Sequence, residues 1–430
     1  MLPEFKEHMD KLGYEKLSPI QEKVYKPLSQ GRSVVGISPT GSGKTVAFTL
    51  PLLERIDQNG EVSLLILEPS AELAMQVFNV VSEWGKLIGL KTQSAIGGAN
   101  ISRQIDKLKD HPNIVVGTVG RVSELISMRK LAIDRLDSIV IDEADDLLSD
   151  TTLESVRDIV DNAPVNVILG FFSATKSDIV EHIDRWFNQA IEFIDTTNID
   201  DTRGNVAHRF LEVSNHKKPA MLIRLMADKH FSALVFFDKM VTLQKAYSTL
   251  THRGIKNISK LTSDQSKMSR QKAVKDFRTK KSQLLLSTDV SARGIDIIDL
   301  PAVVNYELPS DERTYIHRTG RTGRMHHDGM IINLGDDHDF RDLKKLVGAD
   351  YDLKPIYFDG NVLSETKPKV NKAEVKQEPK SPEHNDGNKW NSQEKATSKS
   401  HQSVVAPKKH VKKNKHSKRK GMRRKHNPAN

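Results

Sequence analysis

Residues 33–45 read Ser33-Val34-Val35-Gly36-Ile37-Ser38-Pro39-Thr40-Gly41-Ser42-Gly43-Lys44-Thr45. The mostly apolar run Ser33–Ile37 predicts a short buried strand. Gly41-Ser42-Gly43 predicts a tight loop, and Lys44-Thr45 open a helix that continues through Val46–Ile56. Strand, glycine-rich loop and helix in that order make a phosphate-binding loop. Glycine there lets backbone N–H groups turn inward around a triphosphate, where a side chain would stand in the way. Lys44 supplies a point charge to the outer phosphates, and the Thr45 hydroxyl can ligate Mg2+. A turn that merely caps a helix would not need the full spacing from Ser38 to Thr45. The stretch implies a bound nucleoside triphosphate and leaves open whether a kinase, a GTPase or a motor uses it.

Downstream, Leu64–Leu67, Ile114–Thr118, Ser138–Ile141 and Val167–Phe172 read as strands, with helices from Ala71 and after Arg121 between them. Such alternation predicts an open parallel α/β sheet. The C-terminal ends of parallel strands share one edge, which places Asp142 and Glu143 beside the phosphate loop. One carboxylate there can hold Mg2+ through water while its neighbour orients and deprotonates an attacking water. Acidic residues also suit the start of a helix, but with Lys44 upstream the metal-site reading is the stronger. Ser173-Ala174-Thr175 follow the Val167–Phe172 strand. Ahead of the loop, residues 1–30 read as helical, with a turn at Ser18-Pro19 where proline restarts the helix. The Gln21 amide offers a donor and an acceptor that match the edge of adenine, and Tyr14 can stack on the base. Alone, that pairing is ordinary.

From Asp195 to Asn205 the chain is polar and without period, and reads as a linker. A second alternation follows, with strands at Arg209–Val213, Ala233–Phe237, Gln283–Ser287, Ala302–Tyr306 and Gly329–Asn333. This half has no second Gly-Lys-Thr loop, so it should not bind a triphosphate by itself. It carries Arg293-Gly294 after Asp289, and the run His317-Arg318-Thr319-Gly320-Arg321-Thr322-Gly323-Arg324. Three arginines at a three-residue spacing, parted by glycines, suit an exposed turn better than a core. They can reach across a cleft to a γ-phosphate. Read without the first half, an exposed basic turn that binds only nucleic acid is an equal alternative.

The 430 residues leave room for two or three domains, and the absence of cysteine excludes disulfides and thiolate metal sites. The first residues lack the apolar segment of a signal peptide, and no window nears 18 apolar residues, so a soluble cytoplasmic protein is expected. The net charge of +10 is unevenly placed: Glu365–Asn430 holds 19 Lys+Arg against 6 Asp+Glu, the rest 47 against 50. Past Asp352 the strand and helix pattern fades. From Glu365 on, aliphatic residues are scarce and Trp390 is the single aromatic. Such a segment cannot bury enough apolar area to order itself, and its charge suits polyanions, nucleic acid first among them.

Taken in order, these motifs resemble those of DEAD-box RNA helicases, superfamily 2 ATPases, over about residues 1–345. Asp142-Glu143-Ala144-Asp145 is the naming motif. Tyr14 and Ser18-Pro19-Ile20-Gln21, with Phe5 upstream, resemble the Q motif that reads adenine, although Leu17 stands where a proline is usual. Ser173-Ala174-Thr175 matches the motif that couples hydrolysis to strand separation. Ser287–Asp296 resembles the motif whose aspartate, here Asp289, approaches the ribose. His317–Arg324 matches the motif that implies Arg321 and Arg324 as arginine fingers. The fold implied is two tandem RecA-like domains, each an open parallel sheet with helices on both faces, with a disordered basic C-terminal tail. The boundaries expected are 1–197 and 207–362 for the domains, 198–206 for the linker and 363–430 for the tail.

The resemblance implies ATP and Mg2+ as cofactors, and an enzyme that unwinds short RNA duplexes or remodels RNA–protein complexes. Glu143, Lys44, Arg321 and Arg324 would be catalytic. Phe5, Tyr14, Gln21, Thr40, Gly41, Ser42, Gly43, Lys44, Thr45 and Asp289 would bind ATP, Thr45 and Asp142 would hold the metal, and Ser173 and Thr175 would couple the two events. RNA contacts would come from Pro69, Gly97, Gly98, Thr118, Arg121, Arg270, Thr288 and Arg293. Two departures fall on this RNA side: Ala71 stands where the family has an arginine, and Lys267 where it has a glutamine. An ATP-gated RNA clamp, a DNA helicase of the same superfamily and an RNA chaperone acting through the tail are the alternatives. The lysine-rich arm resembles bacterial cold-shock and ribosome-assembly members. Partners implied are RNA strands and short duplexes with little sequence preference, ribosomal precursors or RNA-decay proteins, and no membrane; a monomer is expected.

Overall fold

The computed structural model describes residues 1–57, 61–149, 151–292, 300–324, 326–348 and 351–368. Arg293 and the basic arm from residue 369 on lie outside the described residues. Seven strands form the first sheet: β1 Ser33–Ile37, β2 Leu64–Glu68, β3 Thr92–Ala95, β4 Ile114–Thr118, β5 Ser138–Ile141, β6 Ile168–Ser173 and β7 Ile191–Asp195. Their spatial order is β3-β4-β2-β5-β6-β1-β7, and every neighbouring pair is parallel. The second sheet holds β8 Val206–Glu212, β9 Ala233–Phe237, β10 Ile258–Leu261, β11 Leu284–Thr288, β12 Ala302–Asn305, β13 Gly329–Gly335, β14 Lys354–Asp359 and β15 Val362–Ser364. Its order is β10-β11-β9-β12-β13-β8-β14-β15, parallel except for the closing β14–β15 hairpin.

The central strands are near-continuous apolar runs because both their faces are covered. Successive side chains point to opposite faces, so each strand feeds two cores. Val35, Ile37, Leu65, Leu67, Ile139 and Phe171 pack on one face of the first sheet. Val34, Leu64, Ile66, Val140 and Phe172 pack on the other, with Phe48 and Trp84 from the covering helices. The second sheet repeats the scheme, with Val235, Leu286 and Val304 on one side and Leu234, Leu285 and Val303 on the other. Each such side chain contributes about 1.5–3 kcal/mol by leaving water. Rigid central strands are the consequence, and the residues just past their C-terminal ends inherit that rigidity.

Five strands escape the apolar-run reading: β3, β7, β10, β14 and β15. All lie at or next to a sheet edge, where one flank or one face meets water. The residues of β7, Ile191–Asp195, are half-buried or exposed throughout. The fading of pattern past Asp352 is therefore corrected, since β14 and β15 extend the second sheet to Ser364, two residues beyond the expected domain end. The expected linker holds no helix or strand from 196 to 205, and β8 begins at Val206, its last expected residue. The two sheets belong to one compact unit.

Candidate active site

The phosphate loop leaves β1 and turns at Gly41 and Gly43, whose φ angles of 86° and 88° lie in the left-handed region that glycine adopts without strain. Lys44 is the first residue of the helix Lys44–Leu53 and is only 8% exposed. Its Nζ donates to the Ser38 and Pro39 carbonyls at 3.0 and 3.2 Å, so the ammonium is held within the loop. Ser38 and Ser42 hydroxyls bond each other at 2.7 Å, closing the loop from inside. Thr45 follows, half-buried, in the first turn. Unsatisfied N–H groups at such a helix start favour an anion.

Gln21 does more than face a base. Its Oε1 accepts from Ser18 N at 3.0 Å and its Nε2 donates to the Gly43 carbonyl at 3.2 Å. A Cβ on Gly43 would fall 2.4 Å from that nitrogen. The amide thus braces the loop and keeps one further donor. Tyr14, 37% exposed, follows the first helix, Pro3–Leu12. Phe5 is a correction: expected at the nucleotide, it is 0% exposed, with its ring edge-on to Trp84 at 5.7 Å. Phe5 is spent anchoring the first helix to the core.

At the end of β5, Asp142 is buried and its Oδ1 accepts from the Glu143 backbone N–H at 3.0 Å. Glu143 stands at φ 47°, a left-handed conformation that costs a residue with a side chain about 1 kcal/mol or more. The neighbouring oxygen Glu143 Oε2 is buried without a hydrogen-bond partner among the described residues. Burial first, then the Glu143 charge, pushes the Asp142 carboxyl up to about 7, with Lys44 pulling the other way. Glu68, at the end of the adjacent β2, is fully buried and also held well above the ordinary carboxylate range, by burial and then by Asp142 and Glu143. Buried carboxylate oxygens lacking partners beside a phosphate loop suit a hard divalent cation such as Mg2+.

The two sheets meet at Asp145. Its Oδ2 accepts from Thr175 Oγ1 at 2.5 Å and bonds His317 Nε2 at 3.0 Å, while its backbone carbonyl accepts from Arg313 Nη1 at 2.7 Å. Ser173 braces Thr175: its hydroxyl donates to the Thr175 carbonyl at 2.8 Å and accepts the Thr175 N–H at 3.1 Å. Burial raises the Asp145 pKa, but the bonds from His317, Thr175 and Ser173 outweigh it and bring the group to about 2. For His317, burial works against the charged ring, yet the Asp145 bond and the nearby Glu143 and Asp145 charges leave it above the ordinary imidazole value. The glycine turn after His317 then lies against the phosphate loop. A Cβ on Gly320 would fall 1.6 Å from Thr40 Oγ1, so only glycine fits. The Arg324 stem lies over Gly41, its Cγ 3.0 Å from where a Cβ would be, and its Nε donates to the Gly320 carbonyl at 2.8 Å. Arg321 lines a small cavity with Asp289, Arg313 and His317.

Arg318 departs from the expectation that all three arginines suit an exposed turn. It is 1% exposed, with Nε and Nη2 each 2.7 Å from the Asp289 carboxylate and Nη1 donating to Asn305 Oδ1 and the Glu307 carbonyl. A guanidinium with this many acceptors can be buried because nearly all of its donors are met. Asp289 is therefore fixed by Arg318 while keeping a side on the small cavity.

Of the expected RNA residues, Pro69, Gly97, Gly98, Thr118 and Arg121 lie at or just past the C-terminal ends of β2, β3 and β4. Gly97 N donates to Thr118 Oγ1 at 3.3 Å, and Arg121 Nη1 donates to the Ala99 carbonyl at 3.2 Å. Pro69 follows β2 half-buried, and Gly98 is exposed. In the second sheet Thr288 ends β11, its hydroxyl donating to Ser291 Oγ at 3.2 Å. Arg270 reaches across to the first sheet and pairs with Glu72 at 2.7 Å. Sequence reasoning missed Glu68, Arg313 and Glu72. Arg313 had a signal, lying four residues before His317 on one helix face; Glu68 had one in being the first charged residue after an apolar run.

Comparison with known proteins agrees with this geometry. The DEAD/DEAH box helicase family model matches residues 18–183, and the helicase conserved C-terminal domain matches 217–326. The probable ATP-dependent RNA helicase YfmL of Bacillus subtilis is 36% identical over 79% of this chain and 90% of its own. The DEAD-box ATP-dependent RNA helicase CshC of Bacillus cereus is 34% identical over 86% of this chain and 96% of its own. Among solved structures, Saccharomyces cerevisiae Dbp5 bound to RNA and ADP BeF3 superposes with a TM-score of 0.71 at 28% identity, covering 83% of this chain and 93% of that one. These matches span both sheets, and the chain belongs to the DEAD-box family of ATP-dependent RNA helicases, which are RNA-dependent ATPases.

Proposed function

We propose that the chain unwinds short RNA duplexes or remodels RNA–protein complexes by coupling ATP hydrolysis to closure of its two lobes on single-stranded RNA. One observation carries this reading: Asp145, inside the naming motif, bonds Thr175 of its own lobe and His317 of the other with the same oxygen. The residue next to the hydrolytic carboxylates is thereby the residue that senses whether the second lobe is docked.

In this reading adenine lies between Tyr14 and the free edge of Gln21, and the triphosphate lies on the N–H groups from Gly41 to Thr45, with Ser42 and the Thr40 hydroxyl at its side. Thr45 and Asp142 hold Mg2+, whose charge offsets that of the phosphates. Glu143, pinned by its backbone bond to Asp142, orients the attacking water and takes its proton. Arg321 and Arg324 face the γ-phosphate, Lys44 turns from the loop carbonyls to the phosphates, and Asp289, braced by Arg318, meets the ribose. An arginine finger is worth about 10³–10⁵ in rate in related phosphoryl transfer, enough to make turnover depend on docking.

RNA runs along Pro69, Gly97, Gly98, Thr118 and Arg121 and on to Arg270 and Thr288, with Arg293 beyond. These groups suit phosphates and 2′-hydroxyls rather than base edges, so little sequence preference is expected. The lobes are residues 1–197 and 206–364, and the chain between them is the hinge. No helix of the described residues is long and apolar enough to cross a membrane; with no cysteine and bacterial relatives, a cytoplasmic monomer is the working reading. The test is Glu143→Gln in a strand-displacement assay on a short RNA duplex. It should bind ATP and RNA and neither hydrolyse nor unwind, and a variant that still turned over ATP would remove Glu143 as the base.

A further inference from the structure

Glu68 ends β2 with a carboxylate that the steps above leave unused. It is 0% exposed, and neither Oε1 nor Oε2 has a hydrogen-bond partner among the described residues. Stripping a carboxylate of water with no donor or counter-charge is among the costliest placements in a fold. The surroundings deepen the problem. β2 pairs with β5 in the register Leu67 with Ile141, and Asp142 N donates to the Leu67 carbonyl at 3.1 Å. Glu68 and Asp142 are therefore the next residues on adjoining parallel strands, at the same edge. Asp142 and Glu143 are the charged groups that act on Glu68, and both are acidic. Lys44, the cation nearest in effect to Asp142, is turned to the Ser38 and Pro39 carbonyls. Glu68, Asp142 and Glu143 thus bring three carboxyl groups to this edge, and neither oxygen of Glu68 meets a donor among the described residues.

We propose that Glu68 is an additional acidic residue of the divalent-cation site, accepting hydrogen bonds from the water that the cation holds and adding a negative charge beside Asp142. The inference rests on the reading of Asp142 as the cation's carboxylate. Its chemistry is plain: Mg2+ gives up its water reluctantly and is commonly held through water by carboxylates around it, and oxygens that orient such water must be unencumbered, as both oxygens of Glu68 are. The position is also rigid, since β2 is buried along its whole length.

The experiment uses the full chain and Mn2+ as the probe, followed by the paramagnetic resonance signal of the free ion in the presence of a non-hydrolysable ATP analogue. Glu68→Gln keeps the size and removes the charge; it should weaken Mn2+ binding about 10–100-fold, the range found when outer-sphere partners of a metal are removed. Affinity for the analogue in the absence of divalent metal should not fall. Asp142→Asn serves as the reference. If Asp142→Asn weakens Mn2+ binding and Glu68→Gln does not, the role given to Glu68 is wrong and it is a buried neutral acid. If neither variant changes it, the placement of the cation at this edge is itself wrong. A second readout guards against misfolding: Glu68→Leu should unfold at a higher temperature than the parent in the absence of divalent metal, and Mn2+ should raise that temperature less than in the parent. An undiminished Mn2+-induced rise in Glu68→Leu overturns the proposal.

Discussion

Among the described residues, two of the junctions between the sheets are unlike. On the nucleotide side, Asp145 gathers Thr175, His317 and Arg313 through a buried network, and Gly320 fits against Thr40 with no room to spare. On the side of the expected RNA contacts, the described ion pair is Arg270 with Glu72, whose side chains are 22% and 37% exposed. A buried network in which one carboxylate oxygen holds partners from both lobes is rigid, whereas a solvent-screened pair is worth about 0.2–1 kcal/mol. On the proposed function, sensing of the docked lobe would be concentrated at Asp145, and the Arg270–Glu72 side would be left adjustable. A polymer with little sequence preference can be accommodated there without loosening the catalytic geometry.

The largest effect that would break this contrast is Asp145→Ala. It should leave ATP binding near normal and lower RNA-stimulated turnover by about 10³-fold, the scale of a misplaced arginine finger; steady-state kcat and nucleotide affinity check it. Next comes Gly320→Ala, whose added methyl meets Thr40 Oγ1 at 1.6 Å. It should cost about 10²-fold in the same rate, since small misplacements of catalytic groups cost that much, with the unfolding temperature unchanged.

A change of pH sharpens the comparison at a smaller scale. His317 is held above the ordinary imidazole value, so its share of the Asp145 contact is full below about 6.5 and is lost as pH rises through the raised pKa. Asp145 is lowered, so its share is present above the ordinary carboxylate value and lost only as pH falls toward about 2. Between these limits only the alkaline limb matters. Closure measured by fluorescence transfer between dyes on the two lobes should weaken on going from about pH 6 to pH 9, and His317→Leu should flatten the profile. The smallest effect is Glu72→Ala, which should change RNA-stimulated turnover by less than about fivefold. A loss as large as that of Asp145→Ala would mean that the RNA-side pair is a true latch.

What could be read from the sequence follows from what burial does to composition. β1, β2, β4, β5 and β6 are covered on both faces and show as apolar runs, so the first sheet and its carboxylate edge were legible. The edge and next-to-edge strands β3, β7, β10, β14 and β15 mix polar with apolar residues and left no such trace. Motif residues carried by one loop, as with Gly41–Thr45, could be placed at one strand end from their order in the chain alone. Partner choice was not legible. That Arg318 would be spent on Asp289, Phe5 on Trp84, and Gln21 on Ser18 and Gly43 depends on packing between segments far apart in the chain. Glu68 shows the same limit, because its importance lies in lacking partners.

The most direct measurement is the rate of ATP hydrolysis by the full chain with and without saturating single-stranded RNA. Slow turnover alone and at least tenfold stimulation by RNA are expected, roughly the least that docking of an arginine finger should give. Equal rates in the two conditions would contradict it.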